Sequence, residues 1–199
     1  MIHIWVVFLT RREYKPLMAY TELTFRLGKC CVQWQEPHRF EIGNKGMNIK
    51  IRRTDSNNTD FQKLVCDLEI YLTGLDEEAH NECKEYNKLE TISHVITAYD
   101  NKEIVGCGAI REYDTETIEI KRMFVSDKYR KKGIATRILL ELENWAKELG
   151  FTMSILETGT MMLDAIPFYE KNNYIQIPNY GQYSSKPKSI CFSKALSCF

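Results

Sequence analysis

Apolar and polar positions alternate from Ser93 to Tyr99, from Glu103 to Tyr113 and from Thr117 to Val125. A period of two places each on a half-buried strand, and the turns Asp100-Asn101-Lys102 and Asp114 to Glu116 join them into an antiparallel meander. The spacing changes to three and four at Phe61, Leu64, Val65, Leu68 and Leu72, and again at Ile134, Ile138, Leu142, Trp145 and Leu149. Those stripes predict amphipathic helices over about 59–72 and 133–149. Asn58 or Thr59 is placed to cap the first, which Gly74 ends; Gly150 stops the second.

The remaining elements follow from the same signals. A strand is expected at Asn48 to Arg53 and a short polar helix at Glu77 to Tyr86. Another strand is expected at Phe151 to Leu156, followed by a loop at Thr158-Gly159-Thr160. Asp164 is read as the cap of a helix through Asn172, with Pro167 in the first turn, where its missing N–H costs little. Asn173 tolerates the left-handed geometry of a helix stop. Strands at 174–177 and 189–196 close the chain, separated by a mobile-looking loop, Pro178 to Tyr183. The two glycines of the second meander strand, Gly106 and Gly108, imply close packing against a helix.

Composition sets few exclusions. The 199 residues are 44% hydrophobic and 27% charged, enough for one domain with a core. Lys+Arg and Asp+Glu both total 27, so net charge gives no drive toward nucleic acid or an anionic membrane. The seven cysteines, at 30, 31, 66, 83, 107, 191 and 198, contain no Cys-x-x-Cys pair, and no histidine stands at zinc-ligand spacing from them. They read as reduced thiols of a cytoplasmic protein, and no metal is expected. The apolar run Ile4 to Leu9 is too short to cross a bilayer and lacks the order of a secretory signal.

The chemistry concentrates at Arg130-Lys131-Lys132-Gly133-Ile134-Ala135. A strand enters this basic turn and a long helix leaves it. The first N–H groups of a helix have no internal partner, and the helix dipole adds partial positive charge there. Gly133 and Ala135 leave the backbone accessible. The ligand expected from the residues alone is a pyrophosphate carried by a cofactor. No Gly-Lys-Ser/Thr and no Gly-x-Gly-x-x-Gly occurs, which argues against nucleotide loops of those kinds.

The turn, with Val125 five residues before Arg130, resembles the acetyl-CoA signature of the GNAT superfamily of N-acetyltransferases, in its bacterial-type branch of small-molecule or unassigned acceptors. The resemblance covers Met47 to about Leu196. It implies an α/β fold with a central, mostly antiparallel mixed sheet, helices on both faces, and two parallel strands that splay apart. Acetyl-CoA would lie in that gap along Met123, Phe124 and Val125, facing Ile155 to Thr158. Its diphosphate would meet Arg130, Lys131, Lys132, Gly133, Ile134, Ala135 and Thr136. The family's position for a general base falls on Glu119, six residues before Val125, with Glu112 and Glu157 as lesser candidates. Ala165 to Lys171 resembles the family's Ala-x-x-x-Tyr-Glu-Lys helix, which makes Tyr169 the expected acid toward the departing thiolate. A phenol stays protonated at neutral pH. The N–H of Phe124 or Val125 is the expected donor to the thioester carbonyl, in a direct attack by the amine.

Residues 1–46 fall outside the resemblance and are read as an appendage of unassigned role, or an extension upstream of the native start. Residues 47–199 are read as the catalytic domain. The expected acceptor is the primary amine of a small molecule, with no nucleic-acid or membrane partner and a monomer or homodimer as assembly. A protein Lys or N-terminus as acceptor is the alternative within the same chemistry. A non-catalytic acyl-CoA-binding module, or a membrane- or partner-binding protein using residues 1–46, are the alternatives outside it.

Overall fold

The computed structural model describes residues 47–83 and 92–196. The expected appendage, the end of the second helix at 84–86 and residues 197–199 lie outside them.

Among the described residues seven strands and four α-helices follow the expected order: β1 (Ile49–Thr54), α1 (Thr59–Leu75), α2 (Glu77–Cys83), β2 (His94–Asp100), β3 (Glu103–Glu112), β4 (Thr117–Val125), α3 (Ile134–Glu148), β5 (Met153–Gly159), α4 (Ala165–Lys171), β6 (Ile175–Ile177) and β7 (Ser189–Ala195). The strands form one sheet in the order β1-β2-β3-β4-β5-β7-β6. Among the described strands only the β4–β5 contact is parallel. The sheet is therefore mixed and mostly antiparallel, as expected.

One face of the sheet packs on α3. Ile138, Leu139, Leu142 and Ala146 have no exposed surface and meet Ile96, Ala98, Ile118, Ile120 and Leu156 of the strands. The apolar stripe read from the sequence is the cause, at roughly 2 kcal/mol for each large side chain buried. The β3 glycines permit the contact. A Cβ on Gly108 would sit 2.8 Å from Leu142 Cδ1, and one on Gly106 would sit 3.0 Å from Ile138 Cδ1. The other face carries α1, whose Phe61, Leu64 and Val65 cover Val95, Cys107 and Ala109.

Caps and stops were legible in part. Asn58 Oδ1 accepts from Phe61 N–H at 2.9 Å, which fixes the start of α1. Gly150 (φ +93°) and Asn173 (φ +66°) both take the left-handed geometry expected of helix stops. Gly74 does not, and α1 runs through it to Leu75. A glycine ends a helix only when its backbone turns left-handed; inside a helix it costs about 1 kcal/mol relative to Ala and is tolerated. Asp164 precedes α4 but makes no side-chain cap, because its backbone is already helical and its carboxylate cannot swing onto the next N–H groups. β5 starts two residues later than expected and runs on over Thr158 and Gly159, because β7 supplies partners for its whole length.

Pairing between β4 and β5 lasts four residues, from Thr117↔Met153 to Ile120↔Leu156, and then stops. From Lys121 and Glu157 onward the two strands part. The opening begins after Leu156, not at Ile155 as the sequence implied, since Ile155 still pairs with Glu119. Beside it β4 bulges. The β3–β4 register shifts between Cys107 and Ala109, and Arg122 adopts φ +57°. A left-handed residue without a glycine's freedom costs about 1–2 kcal/mol, so the surrounding sheet must hold it there.

Candidate active site

The gap between β4 and β5 opens into a cleft of about 510 Å³. Met123, Phe124 and Val125 form one wall. Arg130, Lys131, Gly133, Ile134, Ala135 and Thr136 form its far end. Phe168 and Tyr169 of α4 stand opposite, and Leu68 and Tyr71 of α1 close the side.

At the far end α3 starts without a side-chain cap. The first intrahelical bond there runs from Arg137 N–H to Gly133 C=O at 3.1 Å, so the N–H groups of Ile134, Ala135 and Thr136 precede the ladder. Lys131 (φ +59°) and Gly133 (φ +76°) are both left-handed, which turns successive N–H groups toward one concavity. No protein atom lies within 4 Å of where a Gly133 Cβ would be. Gly133 is thus required for its backbone angle, and the space beside it is open to a ligand.

The basic side chains divide. Lys131 lines the cleft. Lys132 does not; its Nζ bonds the Lys128 carbonyl at 2.8 Å and lies 5.2 Å from the Tyr129 ring, so its side chain turns away from the expected diphosphate. Arg130 lines the cleft but is also held: Nε donates to Val125 C=O at 3.0 Å, Nη2 pairs with Asp127 at 2.8 Å, and the guanidinium stacks over Tyr71 and Phe124. It clamps the turn to the end of β4.

Tyr169 is buried, its ring set among Phe168, Tyr174 and Phe192. Burial, with the Glu157 carboxylate nearby, raises its phenol above the ordinary value, so it keeps its proton at neutral pH.

On the α1 face of the gap lies a buried polar cluster. Glu119 is 0% exposed. Its Oε2 accepts from Arg111, and its Oε1 accepts from Tyr180 at 3.0 Å and Tyr183 at 3.3 Å, with Lys121 Nζ at 3.6 Å. Lys121 donates to Tyr183 Oη at 2.8 Å. Burial lowers the Lys121 pKa, against the pull of Glu119 and Glu157. Both tyrosines are raised by burial and then by Glu119, and stay neutral donors. The sequence placed Glu119 on a strand facing a substrate; the structure surrounds it with donors. Of these, Lys121 stood in the sequence as a neighbour able to pair with Glu119 and the Tyr180–Tyr183 loop was singled out for another reason, whereas Arg111 was missed. That loop, expected to be mobile, contains a 3₁₀ turn at Gly181–Tyr183 and buries Tyr183 at 1% exposure.

Glu157 differs. It is half-buried and accepts one hydrogen bond, from Ser189 Oγ at 2.6 Å. Burial raises its carboxyl above the usual range, Ser189 and Lys121 oppose that, and Glu119 adds to it. The third carboxylate considered, Glu112, ends β3 and lines a separate surface hollow with Ser93, Arg111 and Tyr113. No group of acidic, His and Cys side chains suited to a metal occurs among the described residues.

Residues 61–174 match the model of the Acetyltransferase (GNAT) family. The chain is 30% identical over 152 residues to the IAA acetyltransferase of Azospirillum brasilense, covering 75% of this chain and 99% of that protein. It is 32% identical over 102 residues to the uncharacterized N-acetyltransferase YsnE of Bacillus subtilis, covering 50% of this chain and 68% of that one. Its fold matches the crystal structure of a GNAT family acetyltransferase from Elizabethkingia anophelis with acetyl-CoA bound, at a TM-score of 0.56 and 20% identity, over 74% of this chain and 98% of that one.

Proposed function

The chain belongs to the GNAT acetyltransferase family and is an acetyl-CoA-dependent N-acetyltransferase; from that premise we propose that it acetylates the primary amine of a small molecule, with Tyr169 as the acid. The observation that carries this reading is one continuous cleft. It runs from the uncapped start of α3 along Met123 to Val125, the stretch of β4 beyond its pairing with β5, and Tyr169 lies along it.

In this reading the diphosphate of acetyl-CoA sits on the N–H groups that open α3, with Lys131 beside it. The pantetheine arm follows Met123 to Val125, whose backbone is released from β5. The N–H of Phe124 or Val125 donates to the thioester oxygen as it gains charge. The amine nitrogen attacks the carbonyl carbon, the C–S bond breaks, and Tyr169 gives its proton to the sulfur. Attack is direct. Cys191 is the cysteine beside Glu119 and Glu157, and burial pushes its thiol up to about 11, so an acetyl-cysteine intermediate finds no thiolate there at neutral pH.

In this reading a tie between the start of β7 and the α1–α2 junction narrows the approach and favours a small acceptor over a protein terminus. Lys188, just before β7, pairs with Asp76 at 3.0 Å and Glu78 at 3.1 Å, at the α1–α2 junction. Glu119, the base expected from the sequence, serves here to anchor Arg111, Tyr180 and Tyr183, since donors already occupy both its oxygens.

The test is thiol release from acetyl-CoA across a panel of primary amines, run beside a panel of peptides with free N-termini or lysines, with calorimetry for acetyl-CoA. Turnover of small amines with micromolar acetyl-CoA affinity is expected. Turnover confined to the peptides would refute the acceptor class.

A further inference from the structure

We propose that Glu69 of α1 is a positioning residue: its ion pair with Arg122 holds the β4 bulge, and the bulge turns the N–H of Val125 into the gap, where the thioester oxygen is read to lie. This rests on the acetyl-transfer reading above.

One residue of β3 faces two of β4. Ala109 pairs with Lys121 and Cys107 with Phe124, so Gly108 alone stands opposite Arg122 and Met123. An extra residue of this kind exchanges the two sides of every position after it. The side chains show the exchange. Ile118 and Ile120 sit in the core under α3, and unbroken alternation would continue with Arg122 and Phe124; Met123 and Val125 follow instead, and Phe124 joins the α1 side. The backbone changes sides in step. Tyr113 N–H donates to Thr117 C=O and Ser126 N–H to Val105 C=O, each at 3.0 Å, so Thr117 and Ser126 both face β3. Counted on in twos from Thr117, Lys121 faces β3 and Val125 would face it too. Counted back from Ser126, Phe124 faces β3 and Val125 faces the gap. The bond from Arg130 Nε to the Val125 carbonyl agrees with the second count. Without the bulge the gap would receive the N–H of Phe124, and the side chains of Phe124 and Val125 would trade faces.

The bulge needs holding, because Arg122 is left-handed at φ +57° and carries a Cβ. Cys107 Sγ donates to its carbonyl at 3.4 Å. Its guanidinium, on a side chain 7% exposed, pairs with Oε1 of Glu69, whose Oε2 meets Nε2 of His80 in α2 at 2.5 Å. Charge-assisted bonds with little water around them are the stronger kind, so this pair opposes the return of Arg122 to an ordinary strand angle. Glu69 lies between Leu68 and Tyr71, the α1 residues that line the cleft, so one contact sets both the α1 wall and the β4 wall.

In this role Glu69 moves no proton. It acts through Arg122 on where a donor sits. A donor that misses the oxygen as it gains charge weakens the transition state more than the bound coenzyme, so the signature of losing Glu69 is a fall in kcat, with the diphosphate grip at the start of α3 left alone.

The experiment compares the full-length protein with Glu69→Ala, Arg122→Ala, Arg122→Gly and the double variant Glu69→Ala/Arg122→Gly. Each is assayed for thiol release with acetyl-CoA and the fastest acceptor of either panel, and each is checked by thermal melt and acetyl-CoA calorimetry. Glu69→Ala lowers kcat about tenfold or more, with the acetyl-CoA Kd within about threefold of the unmutated value. Arg122→Ala and Arg122→Gly delete the same ion pair, but only glycine takes the left-handed angle freely, so the glycine variant keeps a kcat about tenfold above the alanine one. In the Arg122→Gly background, adding Glu69→Ala changes kcat by less than about twofold. A role for Glu69 confined to docking α1 would leave the glycine and alanine variants equal. Equal kcat in those two, an unchanged kcat in Glu69→Ala, or an undiminished effect of Glu69→Ala in the glycine background overturns the assignment. If Arg122→Ala does not fold, the effect of Glu69→Ala in the arginine and glycine backgrounds decides. Failure of the parent reading looks different: the unmutated protein then neither binds acetyl-CoA nor releases thiol.

Discussion

Replacing Gly133 separates two demands made on one residue, its backbone angle and the space beside it. At φ +76° an alanine pays about 1–2 kcal/mol for left-handed geometry, and a valine, being β-branched, pays more. No protein atom lies within 4 Å of the added Cβ, so sterics within the protein contribute nothing further. For a domain of this size each kcal/mol shifts Tm by roughly 2–4 °C, so Gly133→Ala should melt roughly 2–8 °C lower. The ligand term is separate. The new methyl group points into the space read as the diphosphate site and displaces it from at least one N–H. A hydrogen bond to a charged group is worth about 1.5–3 kcal/mol, so the acetyl-CoA Kd should rise about 10- to 150-fold. Calorimetry well below the variant's Tm measures the second effect free of the first. A lowered Tm with an unaltered Kd would refute the diphosphate placement while leaving the backbone argument standing. The reverse result would show that α3 starts in some other geometry.

Tyr169→Phe keeps the ring among its aromatic neighbours and deletes the proton donor; kcat should fall about 10²–10⁴-fold with acetyl-CoA affinity unchanged by calorimetry. Arg111→Ala removes one of the two cations on the buried Glu119 carboxylate and should cost about 1–3 kcal/mol in a denaturant melt, less than a full stranding because Lys121, Tyr180 and Tyr183 still face it. The pH dependence of Glu157 has a definite sign. Its folded pKa is raised, so its contribution to stability is full below the unfolded carboxylate value and is lost as pH rises through the folded one. Glu157→Gln should therefore melt higher than the unmutated protein at pH 7, with the gap closing toward pH 4 in a Tm series; a gap that widens on acidification would contradict the buried placement.

How far the sequence could be read depended on the range of the forces involved. Apolar periodicity is local and strong, and it located α1, α3 and the meander to within a few residues. Thr117–Val125 coincides with β4 at both ends. The uncapped turn that opens α3 was legible because a strand, bare backbone and a helix start must follow one another in the chain. Gly74 misled because a glycine's effect depends on a dihedral angle that only the packed helix decides. The extension of β5 was hidden because its partner, β7, lies some thirty residues further on. The surroundings of Glu119 were hidden for the same reason: Arg111 and Tyr180 reach it from eight residues before and sixty-one after. Leu68 lies on the apolar face of α1 that the sequence displays, but periodicity cannot say that it and Tyr71 border a cleft.

The unequal pairing of β5 has a kinetic consequence. Its edge toward β7 is bonded over seven residues, whereas its edge toward β4 is bonded over four. The wedge between β4 and β5 is thus held ajar by a strand anchored on its far side, and a coenzyme placed there as proposed would break no sheet hydrogen bonds on entry. Its association rate should then be set by diffusion and orientation, with weak temperature dependence, and any slow step in turnover should fall on chemistry or on departure of products.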